Sequence, residues 1–116
     1  MAAHHIVGST HRHRIGIALR RVGDAIAIVD WLVAHDVEAS VFITGEAAGT
    51  TAGKAVLARI AAHPTLLTVG NHSWDHPDFA NLTESQIADQ LTRTEAAIAP
   101  LAGRTTKPWF RPPYGS

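Results

Sequence analysis

Short β-rich runs alternate with helical runs along this chain, and this alternation constrains the fold more than any other feature. The β-rich runs are Ile15–Leu19, Ala39–Ile43 and residues 66–69 and 109–110. Between them, apolar residues recur every three or four positions, which is typical of helices with one buried face. Strands that alternate with helices form parallel βα units. The sequence therefore predicts an α/β fold, a partial parallel (β/α) barrel in the order β-α-β-α-β-α-β.

Three helices are predicted, over residues 24–36, about 52–62 and 83–103. Asp24 is a good N-cap for the first helix. The third helix has the clearest boundaries, since Thr83 and Gln86 match a capping box and Gly103 suits a C-terminal cap.

The composition indicates one small globular domain, with 46% apolar and 17% charged residues in a chain of 116. Ten basic and ten acidic side chains cancel, which argues against a nucleic-acid partner or an anionic membrane surface. No apolar run approaches the roughly 20 residues of a membrane span. The chain has no cysteine, so disulfides and thiolate metal sites are excluded.

Residues 1–14 are predicted to be a disordered, histidine-rich arm, and residues 15–116 the folded domain. Four of the eight histidines lie in this arm. A metal site at His11 and His13 is the alternative, but nothing nearby in the sequence would orient those rings. The arm has no apolar segment of the kind found in signal peptides, and the localisation of the chain stays open.

Two histidines follow the third predicted strand, in the segment Asn-His-Ser-Trp-Asp-His-Pro over residues 71–77. Imidazole is the commonest neutral metal ligand, and a loop at a strand end can direct His72 and His76 at one cation. In parallel βα folds the ligand site lies at the carboxyl ends of the strands, where this segment falls. The alternative is a pair of structural histidines that bind backbone carbonyls.

A second distinctive segment, Trp-Phe-Arg-Pro-Pro-Tyr-Gly-Ser, follows at residues 109–116. At this spacing and in this order, the two segments resemble those of the polysaccharide deacetylases, the carbohydrate esterases with a NodB-type domain. That family has an H-[ST]-x-x-H-P segment with two metal-ligating histidines, and an R-P-P-Y-G segment some forty residues later. The resemblance covers about the first half of the family domain, so residues 15–116 are interpreted as a truncated domain of this type.

The resemblance implies roles for several residues. His72 and His76 would bind a divalent metal, with zinc as the expected ion, and Ser73 would brace the loop by a hydrogen bond. Arg111 would pair with the base carboxylate, and the backbone N–H of Tyr114 would stabilise an oxyanion. For Tyr114 the alternative is a tyrosine that only packs at the end of the chain.

Three further residues are candidates from position alone. Asp75, between the two histidines, is either an outer-shell partner of a ring or a solvated carboxylate. Trp74 and Trp109 either stack on sugar rings or belong to the core.

The first strand end departs from the family pattern. The family has Thr-Phe-Asp-Asp-Gly there, with a general base and a metal ligand, whereas Val22 and Gly23 occupy the two aspartate positions here. Asp24 is the nearest substitute as third ligand or base, although it also suits the helix N-cap. Glu46, after the second strand, is a weaker substitute.

The function expected from the resemblance is metal-dependent hydrolysis of N-acetyl or O-acetyl groups on amino-sugar polymers such as chitin or peptidoglycan. The missing carboxylates predict that this chain is impaired, since base and metal each supply several kcal/mol of rate acceleration. The alternatives are a non-catalytic carbohydrate- or metal-binding remnant, and a truncated inactive fragment.

Overall fold

The structure, a computed structural model, describes residues 15–19 and 25–115. The predicted arm over residues 1–14 lies outside the described residues, as does the segment 20–24 with Val22, Gly23 and Asp24. The elements in chain order are β1 (Ile15–Leu19), α1 (Ala25–Ala34), β2 (Ala39–Ile43), α2 (Gly45–Ala48), α3 (Thr51–Ala62), β3 (Leu67–Asn71) and α4 (Glu84–Ala102). Short 3-10 turns lie at Phe79–Asn81 and Pro113–Gly115.

The three strands form a parallel sheet in the order β1-β2-β3. Ile17 pairs with Val41 and Val41 with Val69, so the strands end at one common edge. Parallel strands linked by helices confirm the predicted α/β class, and the arrangement is that of a partial (β/α) barrel. This edge carries the loops that follow the strands.

One face of the sheet is buried under the helices and contains the core. Alternate strand residues such as Ile17, Val41 and Val69 point to this side, since side chains alternate across a strand. They join buried residues of all four helices, namely Val29, Leu32, Ala48, Val56, Leu57, Ile60 and Ile98. The core therefore holds the sheet rigid beneath the loops at its edge.

The opposite face of the sheet carries small residues and one aromatic ring. Phe42 lies in the middle strand beside Ala18 and Gly70. A Cβ atom at Gly70 would overlap the Phe42 ring, and one at Gly16 would lie 2.5 Å from the Arg111 guanidinium. The two glycines therefore leave room for an aromatic ring and a cation against the sheet.

Three elements differ from the prediction in extent or kind, and α1 ends at Ala34 rather than near residue 36. β3 covers Leu67–Asn71 rather than residues 66–69, because its last residues pair with the end of β2. The short helix α2 was not predicted, since four residues capped by the Thr44 hydroxyl are too few to show a periodic pattern. At the predicted fourth strand, the described chain makes one parallel bridge, between Asn71 and Phe110.

The capped third predicted helix, α4, is confirmed. The Thr83 hydroxyl accepts a hydrogen bond from the N–H of Gln86, and the Gln86 side chain accepts one from the N–H of Thr83. Gly103 ends the helix in the left-handed conformation, with φ 73°. Within the part of the chain that the structure describes, no helix has the length and apolar character needed to cross a bilayer.

Candidate active site

The segment 71–77 leaves β3 at the sheet edge and is held there by the neighbouring strand and helix. The N–H of His72 donates to the carbonyl of Ile43, at the end of β2. The N–H groups of Gly45 and Glu46, in the first turn of α2, donate to the carbonyls of Ser73 and Trp74 at 2.9 and 3.0 Å. The unpredicted helix α2 therefore uses its N-terminal donors to hold this loop.

His72 and His76 lie side by side in this loop. Their ring centroids are 4.8 Å apart with an interplanar angle of 70°. His72 is only 4% exposed, and the Nδ1 atom of His76 is buried. The loop thus brings together the two imidazoles that the sequence singled out; their role as metal ligands stays a prediction.

The tautomer of His72 follows from its hydrogen bond. Its Nδ1 lies 2.7 Å from the carbonyl oxygen of Arg111. Since a carbonyl only accepts hydrogen bonds, Nδ1 carries the proton and the neutral ring has its lone pair on Nε2. Burial lowers the pKa of His72, and the nearby His76 and Arg111 add to that effect, although the bond to the Arg111 carbonyl opposes it. The ring is therefore held in the neutral form that a metal requires.

The backbone between the two histidines follows an unusual path. Ser73 and His76 have φ angles of 71° and 65°, in the left-handed region that non-glycine residues rarely adopt. The Asn71 side-chain oxygen accepts from the N–H of Ser73 at 2.9 Å, and the Ser73 hydroxyl oxygen accepts from the N–H of His76 at 3.0 Å. Ser73 thus makes the kind of hydrogen bond that a loop-bracing residue requires.

Trp74 and Asp75 are both held by helix α4. The Trp74 ring lies under the guanidinium of Arg93, 4.2 Å from the ring centroid, and against Gly45. Asp75 is exposed and accepts a hydrogen bond from the Gln90 side chain at 2.9 Å. The outer-shell role of Asp75 and the sugar contact of Trp74 stay predictions.

The segment 109–114 runs beside the histidine loop. The N–H of Asn71 donates to the Trp109 carbonyl and the N–H of Arg111 to the Asn71 carbonyl, each at 3.0 Å. The Arg111 guanidinium lies over the Phe42 ring, 4.8 Å from its centroid. Trp109 is 54% exposed, so much of its ring is open to solvent.

Tyr114 lies next to the histidines. Its ring contacts that of His76 edge to face, with centroids 4.7 Å apart. Its φ of 58° places the residue in the left-handed region, beside Pro113. The structure therefore brings Tyr114 and Arg111 to the histidine pair. Their catalytic roles stay predictions.

The described residues fit a metal ion only in part. A catalytic zinc site needs about three protein ligands and a water. Among residues 15–19 and 25–115, no group of three or more histidine or acidic side chains could hold a metal. Glu46 is exposed, and Asp24 lies outside the described residues. Within the described part of the chain, the two imidazoles therefore lack a third side chain placed to share a cation with them.

Sequence reasoning missed Gln90 and the side-chain contacts of Asn71 at this site. Asn71 is 5% exposed and donates from its amide to the Leu91 carbonyl, so it links the loop to α4. Gln90 lies three residues after Ile87 and four before Thr94, on the inward stripe of α4. A polar residue on an apolar stripe was the available signal, since such a residue needs a partner inside the fold.

The sequence profile of the polysaccharide deacetylase family matches residues 24–116 of this chain. A peptidoglycan-N-acetylglucosamine deacetylase of Bacillus cereus is 36% identical over 88 residues, which cover 76% of this chain and 30% of the relative. The chain therefore spans about a third of the length of such a relative.

Solved structures that resemble this chain are of carbohydrate esterase family 4. A carbohydrate esterase family 4 pseudoenzyme from Bacillus anthracis has a TM-score of 0.76 and 29% identity, over 89% of this chain and 35% of that one. A mutant of that pseudoenzyme is described as having restored enzymatic activity. An acetyl xylan esterase of family 4 from Clostridium thermocellum, in complex with a cobalt ion, has a TM-score of 0.75 and 28% identity over 89% of this chain and 49% of its own.

Proposed function

The chain belongs to the polysaccharide deacetylase family, and from that premise we propose that it carries the two-histidine part of a metal-dependent deacetylase site. The substrate class is an amino-sugar polymer, such as chitin or peptidoglycan, that bears N-acetyl or O-acetyl groups. The observation that supports this most is the histidine pair, with ring centroids 4.8 Å apart and Nδ1 of His72 engaged by a carbonyl. A histidine that ligates a metal commonly donates its other N–H in this way.

His72 and His76 would hold the metal, with zinc as the expected ion. When bound, such an ion polarises the acetyl carbonyl and activates water. The relative bound to cobalt supports a divalent transition metal in this family. The neutral, buried His72 needs no proton loss before it binds a cation, so binding should persist at neutral pH.

The neighbouring residues would orient and stabilise the substrate. The backbone N–H of Tyr114 is the proposed donor to the developing oxyanion, and the left-handed turn at Tyr114 would aim it. The exposed face of Trp109 would stack on a sugar ring, and Trp74 is the second candidate for this contact. Arg111 would orient a carboxylate supplied at the end of β1.

We further propose that this chain turns over acetylated substrate slowly or not at all. Val22 and Gly23 stand where the family carries its general base and one metal ligand, which leaves Asp24 and Glu46 as the substitutes. The second candidate function is non-catalytic binding of carbohydrate or metal. The pseudoenzyme relative favours it, since a family member with this fold exists without activity. The restored activity of its mutant suggests that such a scaffold can regain function through local changes.

Zinc titration by calorimetry would test the metal site. The measurement uses the full chain with His4, His5, His11 and His13 replaced by Asn, so that the arm contributes no binding. Weak binding is expected in this background, and it should disappear in both His72→Ala and His76→Ala. The matched control is His35→Ala, because His35 stacks on Trp31 at the surface, away from the site. Equal affinity in the parent and the two site variants would overturn the metal site.

Acetate release would test the reaction itself. Chitin oligomers and acetylated peptidoglycan are incubated with the zinc-loaded chain, and release is expected at the background level. Robust release that a chelator abolishes would contradict the proposed impairment. Asp24→Asn and Glu46→Gln would then identify the base.

A further inference from the structure

Gln90, on helix α4, holds the middle of the histidine loop with both ends of its side-chain amide. The Oε1 atom accepts a hydrogen bond from the backbone N–H of Trp74 at 2.7 Å. The Nε2 atom donates to Oδ1 of Asp75 at 2.9 Å. Trp74 and Asp75 both lie between His72 and His76, so one side chain spans the segment that separates the two rings.

Gln90 is itself well placed to act as a fixed support. The Thr94 hydroxyl donates to the Gln90 carbonyl at 2.7 Å. One position along the helix, the Leu91 carbonyl accepts from the Asn71 side chain at 3.0 Å, which anchors the start of the loop. Helix α4 therefore forms hydrogen bonds with the loop at its beginning and at its centre. The helix itself is capped at both ends.

The loop needs such support because its backbone is strained. Ser73 and His76 adopt φ angles of 71° and 65°, and such conformations persist only when the surroundings hold them. Gln90 binds Trp74 and Asp75, which lie between these two residues in the sequence. Without it, the Trp74 N–H and the Asp75 carboxylate lose their partner on α4, and the loop can relax toward ordinary φ values.

We propose that Gln90 is a positioning residue that sets the separation of His72 and His76 for a shared cation, an inference that rests on the proposed metal site. It acts through the backbone of Trp74 and the carboxylate of Asp75. Outer-shell partners of this kind typically change metal affinity by about ten- to a hundredfold when they are removed. Loss of the Gln90 side chain should change the stability of the fold less than it changes metal affinity, because the hydrogen bond to Asp75 is exposed.

The test compares Gln90→Ala with Gln86→Ala in the full chain with the arm histidines replaced by Asn. Gln86 is a matched control: it has the same residue type, lies one turn earlier on α4, and its side chain binds the Thr83 N–H rather than the loop. Zinc affinity by calorimetry should fall about ten- to a hundredfold in Gln90→Ala and stay within about twofold in Gln86→Ala. Equal losses of affinity in the two variants would show a general structural role and overturn the proposal.

A double variant that exchanges the carboxylate and the amide between positions 75 and 90 tests whether zinc affinity can be restored. In Gln90→Glu alone, two carboxylates face each other at Asp75 and zinc affinity should fall. In Gln90→Glu combined with Asp75→Asn, Glu accepts from the Trp74 N–H and from the new Asn amide, so both hydrogen bonds return with the same net charge. The double variant should recover most of the parental affinity. A double variant as weak as Gln90→Glu alone would overturn the proposal.

A metal-free measurement separates this proposal from the proposed function. Hydrogen exchange of the Trp74 amide, followed by NMR without zinc, should become about tenfold faster or more in Gln90→Ala and stay unchanged in Gln86→Ala. The nuclear Overhauser contact between the His72 and His76 rings should weaken in the same variant. If the parent binds no zinc but these changes occur, the metal function fails and the positioning role stands. If exchange and ring contact are unchanged, the positioning role fails whatever the zinc affinity.

Discussion

Single side chains at the end of β3 connect the histidine loop to the rest of the molecule. Asn71 accepts from the Ser73 N–H and donates to the Leu91 carbonyl, while its backbone pairs with residues 109–111. Removing a buried amide that makes two such bonds is costly, because each of its former partners would stay buried without a hydrogen bond. The geometry of the loop therefore depends on the Asn71 side chain, which links the loop to α4.

Asn71→Asp should destabilise the fold by about 1–3 kcal/mol. The carboxylate keeps the acceptor for the Ser73 N–H but loses the donor to the Leu91 carbonyl, and it places a charge at a site that is 5% exposed. Urea unfolding at neutral pH measures the change. Asn81→Asp is the control, because Asn81 is exposed and the same substitution there should change stability by less than about 0.5 kcal/mol.

Gly45→Ala should destabilise the fold by about 1–3 kcal/mol, although alanine is the better helix former. A Cβ atom at Gly45 would overlap the Trp74 ring and lie 3.0 Å from the Thr94 hydroxyl oxygen. The ring is also covered by Arg93, so it cannot move aside freely. At Gly49, the new Cβ would make only an ordinary contact at 3.6 Å. Gly49→Ala should therefore be tolerated, and equal losses at the two positions would refute this account.

Regular periodic segments could be predicted from the sequence, and short ones could not. β1 and β2 have the predicted bounds, and α4 begins and ends at its predicted caps. α2 has only four residues, and beyond its local Thr44 cap it is held by carbonyls of the histidine loop, which are tertiary contacts. Dependence on tertiary contacts also explains why residues 109–110 form one bridge and not the predicted strand. Their pairing depends on the path of Asn71, which no local pattern reveals.

Helix α4 also holds the segment that leads to Arg111, through Glu95. Its carboxylate accepts hydrogen bonds from the Thr105 hydroxyl and from the N–H and hydroxyl of Thr106. Burial alone would raise the pKa of Glu95, but these hydrogen bonds and the charge of Lys107 together lower the pKa below its ordinary value of 4.5. The ionised form is therefore the one that stabilises the folded state.

Glu95→Gln should lower the free energy of unfolding at neutral pH, and the difference from the parent should shrink in acid. A carboxyl with a lowered folded pKa stabilises the fold above its unfolded pKa, near 4.5, and loses this contribution as the pH falls through the folded value. Unfolding curves between about pH 7 and pH 3 would measure it. Glu84→Gln, in the exposed first turn of α4, is the control. A difference that is independent of pH would contradict this role.

The parallel topology of the sheet explains why the candidate site could be located from the sequence. Parallel strands end at one edge, so the segments 71–77 and 109–114 had to meet there once the strands were recognised. The contacts that orient the site come from α2 and α4, more than ten residues away in sequence, and no local pattern shows them. The site's position was therefore predictable from the motifs, whereas Gln90 and the side-chain bonds of Asn71 were not.

Restoring the family segment at the end of β1 tests whether the molecule retains the rest of a metal site. Replacing Arg-Arg-Val-Gly-Asp over residues 20–24 by Thr-Phe-Asp-Asp-Gly would supply the proposed site with a carboxylate ligand and Arg111 with an anionic partner. Zinc affinity should rise. At a hundredfold excess over the dissociation constant, zinc should stabilise the fold by about 2.7 kcal/mol, which corresponds to a rise in Tm of roughly 10 °C.

A Thr-Phe-Ala-Ala-Gly replacement over the same residues is the control, since it differs from the first replacement only in having alanine in place of both aspartates. Only the aspartate version should gain zinc-dependent Tm, and His76→Ala in that background should remove the gain. Equal zinc responses in the two replacements would mean that the end of β1 does not face the histidine pair. The ion-pair partner proposed for Arg111 would then have to come from another part of the molecule.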